Sequence, residues 1–218
     1  MKFKTLVIFT ALSVLFSCSD DKTKSESKTE KDATTGTKEE TNPETYTIPD
    51  SATMMKNWQA YMTPGKEHEV MAKSSGTWNS EVTWWDYPGG PANKSTSTAT
   101  NKMIMGGRYQ VSTHTGNMMG MPFEGHATLA YDNHRKVYIS TWIDNMGTGM
   151  MITEGKWDES AGGIVLNGKM VDPSIGKEVS VREVFKIIDD NTHVMEMYKA
   201  GHDGKEFKCM EIKYTRKK

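Results

Sequence analysis

Three carboxylates, Glu183, Glu196 and Glu211, sit in stretches whose alternating pattern could bring them together. Alternation sends every second side chain of a strand to one face. Reading Asp189–Thr192 as a four-residue turn pairs Ile188 with His193, Phe185 with Glu196 and Glu183 with Tyr198. Reading Gly201–Gly204 as the next turn pairs Ala200 with Lys205, Tyr198 with Phe207, Glu196 with Cys209 and Val194 with Glu211. One face then carries Glu183, Phe185, Glu196, Tyr198, Phe207, Cys209 and Glu211. The other carries Val184, Ile188, Met195, Met197, Met210, Ile212 and Tyr214, with Arg182, Lys186 and Lys208. The methionine face is the more apolar, while Cys209 and Phe207 favour the carboxylate face as the interior. Enclosed carboxylates would have raised pKa values unless Arg182 or a cation paired with them, and Glu183 with Glu196 could then serve as an acid–base pair. Facing solvent, the usual fate of a charged strand face, they would do no chemistry.

A second set lies upstream. Glu124, His126 and Thr128 share one face of a strand-like stretch, and Tyr138, Ser140, Trp142 and Asp144 share one face of the next. Such polar and aromatic neighbours could line the mouth of a cavity. His126, His114 and His193 are each more often ordinary hydrogen-bonded residues than ligands. No HxH, HExxH or CxxC spacing is present, so a dedicated zinc site is not expected. Met118-Met119-Gly120-Met121 and the run Met146 to Met151 offer thioethers that Cu(I) accepts. Methionine as adaptable filler of a barrel interior or lid is the simpler reading. There is no phosphate-cradling glycine loop between strand and helix, no Gly-x-Ser-x-Gly elbow and no visible Cys–His pairing.

These residues are positioned by a run of short strands. The stretch Ser140-Thr141-Trp142-Ile143-Asp144-Asn145-Met146-Gly147-Thr148-Gly149 reads as a hairpin tip, with Asn and two Gly for the positive φ of a tight turn. Around it lie ten candidate strands: Thr77–Trp85, Ser95–Ile104, Arg108–Thr115, Phe123–Tyr131, Val137–Asp144, Gly149–Trp157, Ile164–Met170, Glu178–Ile188, His193–Lys199 and Glu206–Thr215. Regular short strands separated by turn signals predict an antiparallel meander, which closes best as an up-and-down β-barrel without free edges. Two short helices precede it. Asp50 or Ser51 caps the first, which carries Met54, Met55, Trp58, Tyr61 and Met62, and Pro64-Gly65 ends it. Lys66–Ala72 forms the second, with Val70 and Met71 inward. A lid or plug suits this pair.

The N-terminus predicts a different environment. Met1-Lys2-Phe3-Lys4 is followed by an apolar segment from Thr5 to Phe16, too short to span a bilayer, which needs about 20 residues. It fits a signal peptide over 1–17. Leu15-Phe16-Ser17-Cys18 resembles a bacterial lipobox, which implies acylation of Cys18 and a membrane anchor. The acidic Ser19-Asp20-Asp21 that follows resembles the surface-export signal of Bacteroidetes-type lipoproteins as much as it does a plain charged linker. Residues 18–45 are almost free of apolar side chains and read as a flexible tether holding the domain roughly 30 Å from the bilayer. The expected location is the bacterial cell envelope, lipid-anchored to the outer membrane on its periplasmic or surface side. Lys and Arg total 27 against 28 Asp and Glu, which gives no hint of a nucleic-acid partner. Methionine is the compositional outlier at 17 residues. With Cys18 acylated, Cys209 has no disulfide partner and reads as a small buried hydrophobe.

Gly76-Thr77-Trp78 opening the first strand and Arg216 closing the last resemble the calycin superfamily, the lipocalins and their relatives. The resemblance implies that Trp78 packs at the barrel base with Arg216 across it. Met121-Pro122-Phe123-Glu124-Gly125, Thr141–Gly149, Val181-Arg182-Glu183-Val184, Lys205-Glu206-Phe207-Lys208 and Pro64-Gly65 with His68 resemble one bacterial family, the domain of unknown function numbered 1579. That resemblance spans about Trp58 to Lys217. It implies a mainly β, calycin-like barrel over 46–218 and no settled activity. The expected function is binding of a small apolar ligand, with Glu124, His126, Tyr138, Trp142, Asp144, Arg182, Glu183, Glu196, Tyr198 and Glu211 as cavity candidates. Alternatives are a haem or metal binder using His126 or His193, an enzyme of paired carboxylates, and an envelope interaction module. No cofactor is required by the leading reading, and nothing in the sequence specifies an oligomeric state.

Overall fold

The computed structural model describes residues 45–218; the signal segment, Cys18 and the tether up to Glu44 lie outside the described residues. Ten strands form a closed antiparallel barrel in which each pairs with its sequence neighbours, and the last returns to the first. They are β1 Gly76–Trp84, β2 Asn93–Ile104, β3 Tyr109–Met118, β4 Met121–Asp132, β5 Val137–Asp144, β6 Met151–Asp158, β7 Gly163–Asp172, β8 Lys177–Asp189, β9 Thr192–Ala200 and β10 Glu206–Arg216. Closure satisfies the backbone groups that edge strands would leave open. No helix among the described residues is long and apolar enough to cross a membrane.

Two helices precede the barrel, and only one is a plug. In α1, Ser51–Met62, Asp50 caps the N-terminus by accepting from the Thr53 amide at 2.9 Å. No α1 residue is buried, and Trp58 stays 62% exposed. The α1 end is held by Asn133, whose side-chain amide donates to the Thr63 carbonyl at 2.8 Å. α2, Lys66–Ala72, buries His68 and Met71 against the barrel. Its C-terminal carbonyls would be orphaned by the end of the helix. Barrel side chains satisfy them: Gln110 donates to Met71, Arg216 to Lys73 and Ser75, and Trp78 and Asn101 both to Ser74.

Arg216 completes this base. Its guanidinium lies 4.1 Å from the Trp78 ring centroid, and its Nε donates to the Asp190 carbonyl at 2.7 Å. Gly76, at φ 121°, makes the approach possible, because a Cβ there would lie 2.7 Å from an Arg216 nitrogen. Gly76→Ala is expected to cost about 1–3 kcal/mol through strain and displacement of that guanidinium. Urea denaturation of the two proteins measures it, and equal midpoints would show that the close approach has no energetic weight.

The structure corrects the expected register of the last strands. The β8–β9 turn is shorter than four residues: Asp189 pairs with Thr192, and a bulge at Ile188 sets Ile187, not Ile188, opposite His193. Glu183 therefore pairs with Met197 rather than Tyr198, and Phe185 with Met195 rather than Glu196. One residue of slip turns a strand over. On the next hairpin Ala200 pairs with Glu206, and a bulge at Cys209 brings Glu196 opposite Glu211. Glu183 and Phe185 thus share the interior with the methionine face, and Glu196 and Glu211 go outside.

The expected tight turn after β5 is also revised. Residues 145–150 form a six-residue loop, and neither Gly147 nor Gly149 has a positive φ. Asn145 holds the loop to β4 instead. Its side-chain oxygen accepts from the Glu124 amide at 3.0 Å, and its side-chain nitrogen donates to the Pro122 carbonyl at 2.9 Å.

Candidate functional site

The inward residues of the strands enclose a cavity of about 300 Å³. It runs from Trp78 and His193 at the plugged base to Met118, Asp144 and Met146 at the opposite end. Six methionines line it, Met118, Met146, Met151, Met195, Met197 and Met210, with Phe123, Trp142, Phe185 and Tyr214 as the aromatic walls. Met119, Met121 and Met150 stand exposed around the open end. Thioethers adapt to irregular shapes, so this lining suits an apolar molecule of variable outline. Trp142 bends over the cavity because β4 has Gly125 at the contact, where a Cβ would sit 2.6 Å from the indole.

Polar side chains interrupt the lining: Ser97, Asn101, Gln110, Ser112 and Ser140 contribute neutral groups, and Asp144, Glu183, His114 and His193 titratable ones. Trp142 Nε1 donates to Asp144 at 2.7 Å, which fixes the indole at the rim. Glu183 accepts from the Thr153 hydroxyl at 2.9 Å, and burial without a cation pushes its carboxyl pKa up. His114 packs edge-on to Trp142 at 5.0 Å, and burial with the charge of His126 brings its pKa down to about 4. His193 lies between Trp78 and Phe185, at centroid distances of 4.2 and 5.5 Å. Burial, then the Arg216 charge, lowers its pKa to about 4, and its Nε2 has no hydrogen-bond partner. Among the described residues no cluster of three His, Cys, Asp or Glu side chains could hold a metal ion.

Of the ten cavity candidates read from the sequence, Trp142, Asp144 and Glu183 line the cavity. Tyr138 points inward below it, in a cluster with Met71, Ile164 and Leu166. The other six lie outside. Glu124 and His126 form an exposed pair at 3.0 Å. Arg182 makes a two-pronged ion pair with Glu206 and stacks on Tyr198 at 4.0 Å. Glu196 binds Lys186 at 2.7 Å and Lys208 at 3.4 Å, and Lys208 also holds Glu211. The pairing of Glu183 with Glu196 is therefore not made, since the barrel wall separates them. His193 is legible in the sequence only as a residue sharing an alternate face with Met195 and Met197, whereas His114 shares its face with Gln110, Ser112 and Gly116 and carries no such signal.

Glu183 makes a test of its own. A carboxyl whose folded pKa lies above the unfolded value supports the fold below the unfolded pKa and loses that support as pH rises through the folded one. A glutamine in its place would keep the Thr153 contact without any ionisation cost. Glu183→Gln is thus expected to raise the melting temperature at pH 8 and to change it little at pH 4. An advantage that does not grow with pH would show that Glu183 is not held neutral.

The strands and the cavity they enclose define a closed ten-stranded antiparallel β-barrel. The chain belongs to the family described as protein of unknown function (DUF1579), whose model matches residues 63–216. Among solved structures it is similar to the crystal structure of Rv2717c from M. tuberculosis, at 13% identity and TM-score 0.53, covering 72% of this chain and all of that one. It is also similar to the S-type phycobiliprotein lyase CPES from Guillardia theta, at 11% identity and TM-score 0.50, covering 74% of this chain and 97% of that one. At these identities the likeness establishes the fold alone. No curated protein matches the sequence.

Proposed function

We propose that this chain is a lipid-anchored envelope protein whose barrel holds a small, largely apolar ligand. The observation that carries the reading is the methionine- and aromatic-lined cavity of about 300 Å³, plugged at one end by α2. Ligand cavities of such size bury most of a small molecule and orient it with a few polar groups. Here those groups include Glu183, His114, His193 and Asp144, with Asn101 and Gln110 toward the plugged base. The anchor rests on Leu15-Phe16-Ser17-Cys18 and on the polar tether that follows.

Native mass spectrometry of the full chain, purified from its own membranes, tests the binding reading. A retained mass of a few hundred daltons or less, lost on replacing Ala127 by Trp to fill the cavity, supports it. A chain that is empty, and stays empty when offered small apolar compounds, would sink it. Labelled palmitate tests the anchor: label should enter the wild type and not Cys18→Ala, and equal labelling would refute it.

A further inference from the structure

The walls of the cavity carry four acidic or imidazole side chains, and no Lys or Arg among the described residues. Two are acids, Asp144 at the rim and Glu183 within, and two are imidazoles, His114 and His193. The cations of this region are all engaged elsewhere. Arg182, Lys186 and Lys208 are on the outer surface with Glu206, Glu196 and Glu211. Arg216 lies beneath Trp78, bound to carbonyls of the base. An anion entering the cavity would give up its hydration without gaining a cationic partner, and would pass an acidic side chain at the rim. Losing hydration without a partner is the costliest fate of a charge in an apolar site.

The interior polar groups match an uncharged ligand. Glu183 has one oxygen engaged by Thr153 and is 9% exposed, while His114 is 8% exposed beside Trp142 and Tyr214. His193 presents an unpartnered Nε2 in the wall. A hydroxyl both donates and accepts, so it satisfies an imidazole in either tautomer and a carboxyl in either protonation state. A cavity of about 300 Å³ holds about ten water-sized atoms.

We propose, building on the binding reading above, that the cavity selects an uncharged apolar molecule of about ten non-hydrogen atoms carrying a hydroxyl, and rejects the carboxylate of the same chain. The ligand class is a medium-chain or compact cyclic alcohol, with its apolar body against the methionines and its hydroxyl toward Glu183 and His114. The selection is electrostatic and set by the wall, because both ligands present the same apolar surface.

Isothermal calorimetry on the full chain at pH 8 tests this with three probes of one chain length: 1-octanol, octanoate and octyltrimethylammonium. The expected result is 1-octanol binding with a dissociation constant about tenfold or more below that of octanoate. Octanoate binding as tightly as the alcohol would overturn the selection while leaving the binding barrel intact. The ammonium binding more tightly than the alcohol would overturn it in the other direction, assigning Asp144 and Glu183 to a cation. If none of the three binds while the neutral aromatic naphthalene, which fits the cavity in size, does, the alcohol assignment fails and the barrel remains a binder. If that compound also fails to bind, both readings fall.

Discussion

Replacing Trp78 by alanine is expected to lower the unfolding free energy by about 3–5 kcal/mol, the range for deleting a fully buried tryptophan. Trp78 is wholly buried, and it joins three parts of the molecule at the base. Its ring stacks on His193 of β9 and against the Arg216 guanidinium of β10, and its Nε1 donates to the Ser74 carbonyl at 2.8 Å, just past α2. Deletion removes the apolar contact and leaves a void beneath the plug. It also leaves Arg216 without the ring it covers, and Asn101 as the remaining donor to Ser74. Against a typical domain stability of about 5–15 kcal/mol this is a large share. Trp78→Phe keeps much of the ring surface and loses only the donor, so it should fall between the two. Urea unfolding followed by circular dichroism measures the series. A loss below about 1 kcal/mol for the alanine variant, well under the range for such a deletion, would show that the base does not hold the barrel together.

The second large effect is an acid sensitivity set by the buried imidazoles. His114 and His193 have folded pKa values of about 4, whereas an unfolded histidine titrates near 6.5. With the folded value depressed, the unfolded chain takes up protons first as pH falls. The fold is therefore at full strength above about pH 6.5 and weakens as pH drops toward 4. Each imidazole contributes a slope approaching about 1.4 kcal/mol per pH unit inside that window. Glu183 acts in the opposite sense, since its raised pKa favours the fold as pH falls. Burial lowers the pKa of His68 as well, so three imidazoles oppose one acid and net stability should decline. Urea midpoints from pH 8 to pH 4 check the sign and the window. His114→Gln with His193→Gln should flatten the curve between pH 6.5 and 4. An unchanged slope in that double variant would assign the acid sensitivity to other groups. The ion-paired Asp172 and Glu196, whose pKa values are held down by lysines, act instead below the ordinary carboxylate range.

These two effects come from residues that the linear chain describes unequally. Trp78 and Arg216 stand in a recognisable Gly-x-Trp and terminal-Arg setting, so their partnership can be expected before any coordinates. The order and number of strands can be expected as well, because alternation and turn residues are local signals. Strand ends differ from the expected ones by a few residues, most at β3, which continues to Met118. The helix at Lys66–Ala72 is legible for the same reason. Local signals do not tell that α1 leaves its Met and Trp side chains unburied while α2 alone seals the base.

The candidate site divides more sharply. Trp142 and Asp144 share a face as alternation predicts, since β5 is regular and has no bulge. The carboxylates Glu183, Glu196 and Glu211 fall together only under an assumed turn length, and one bulge at Ile188 separates the first from the others. Composition, alternation and turn chemistry by themselves determined a ten-stranded meander, since each strand pairs with its neighbours in sequence, and closure of the last strand onto the first was expected only as the way to remove its two free edges. Which faces turned inward, which acid was buried without a cation, and which imidazoles lost their protons were decided by the tertiary structure. The reason is physical: a bulge of one residue costs little locally, yet it inverts every side chain beyond it relative to the common cavity.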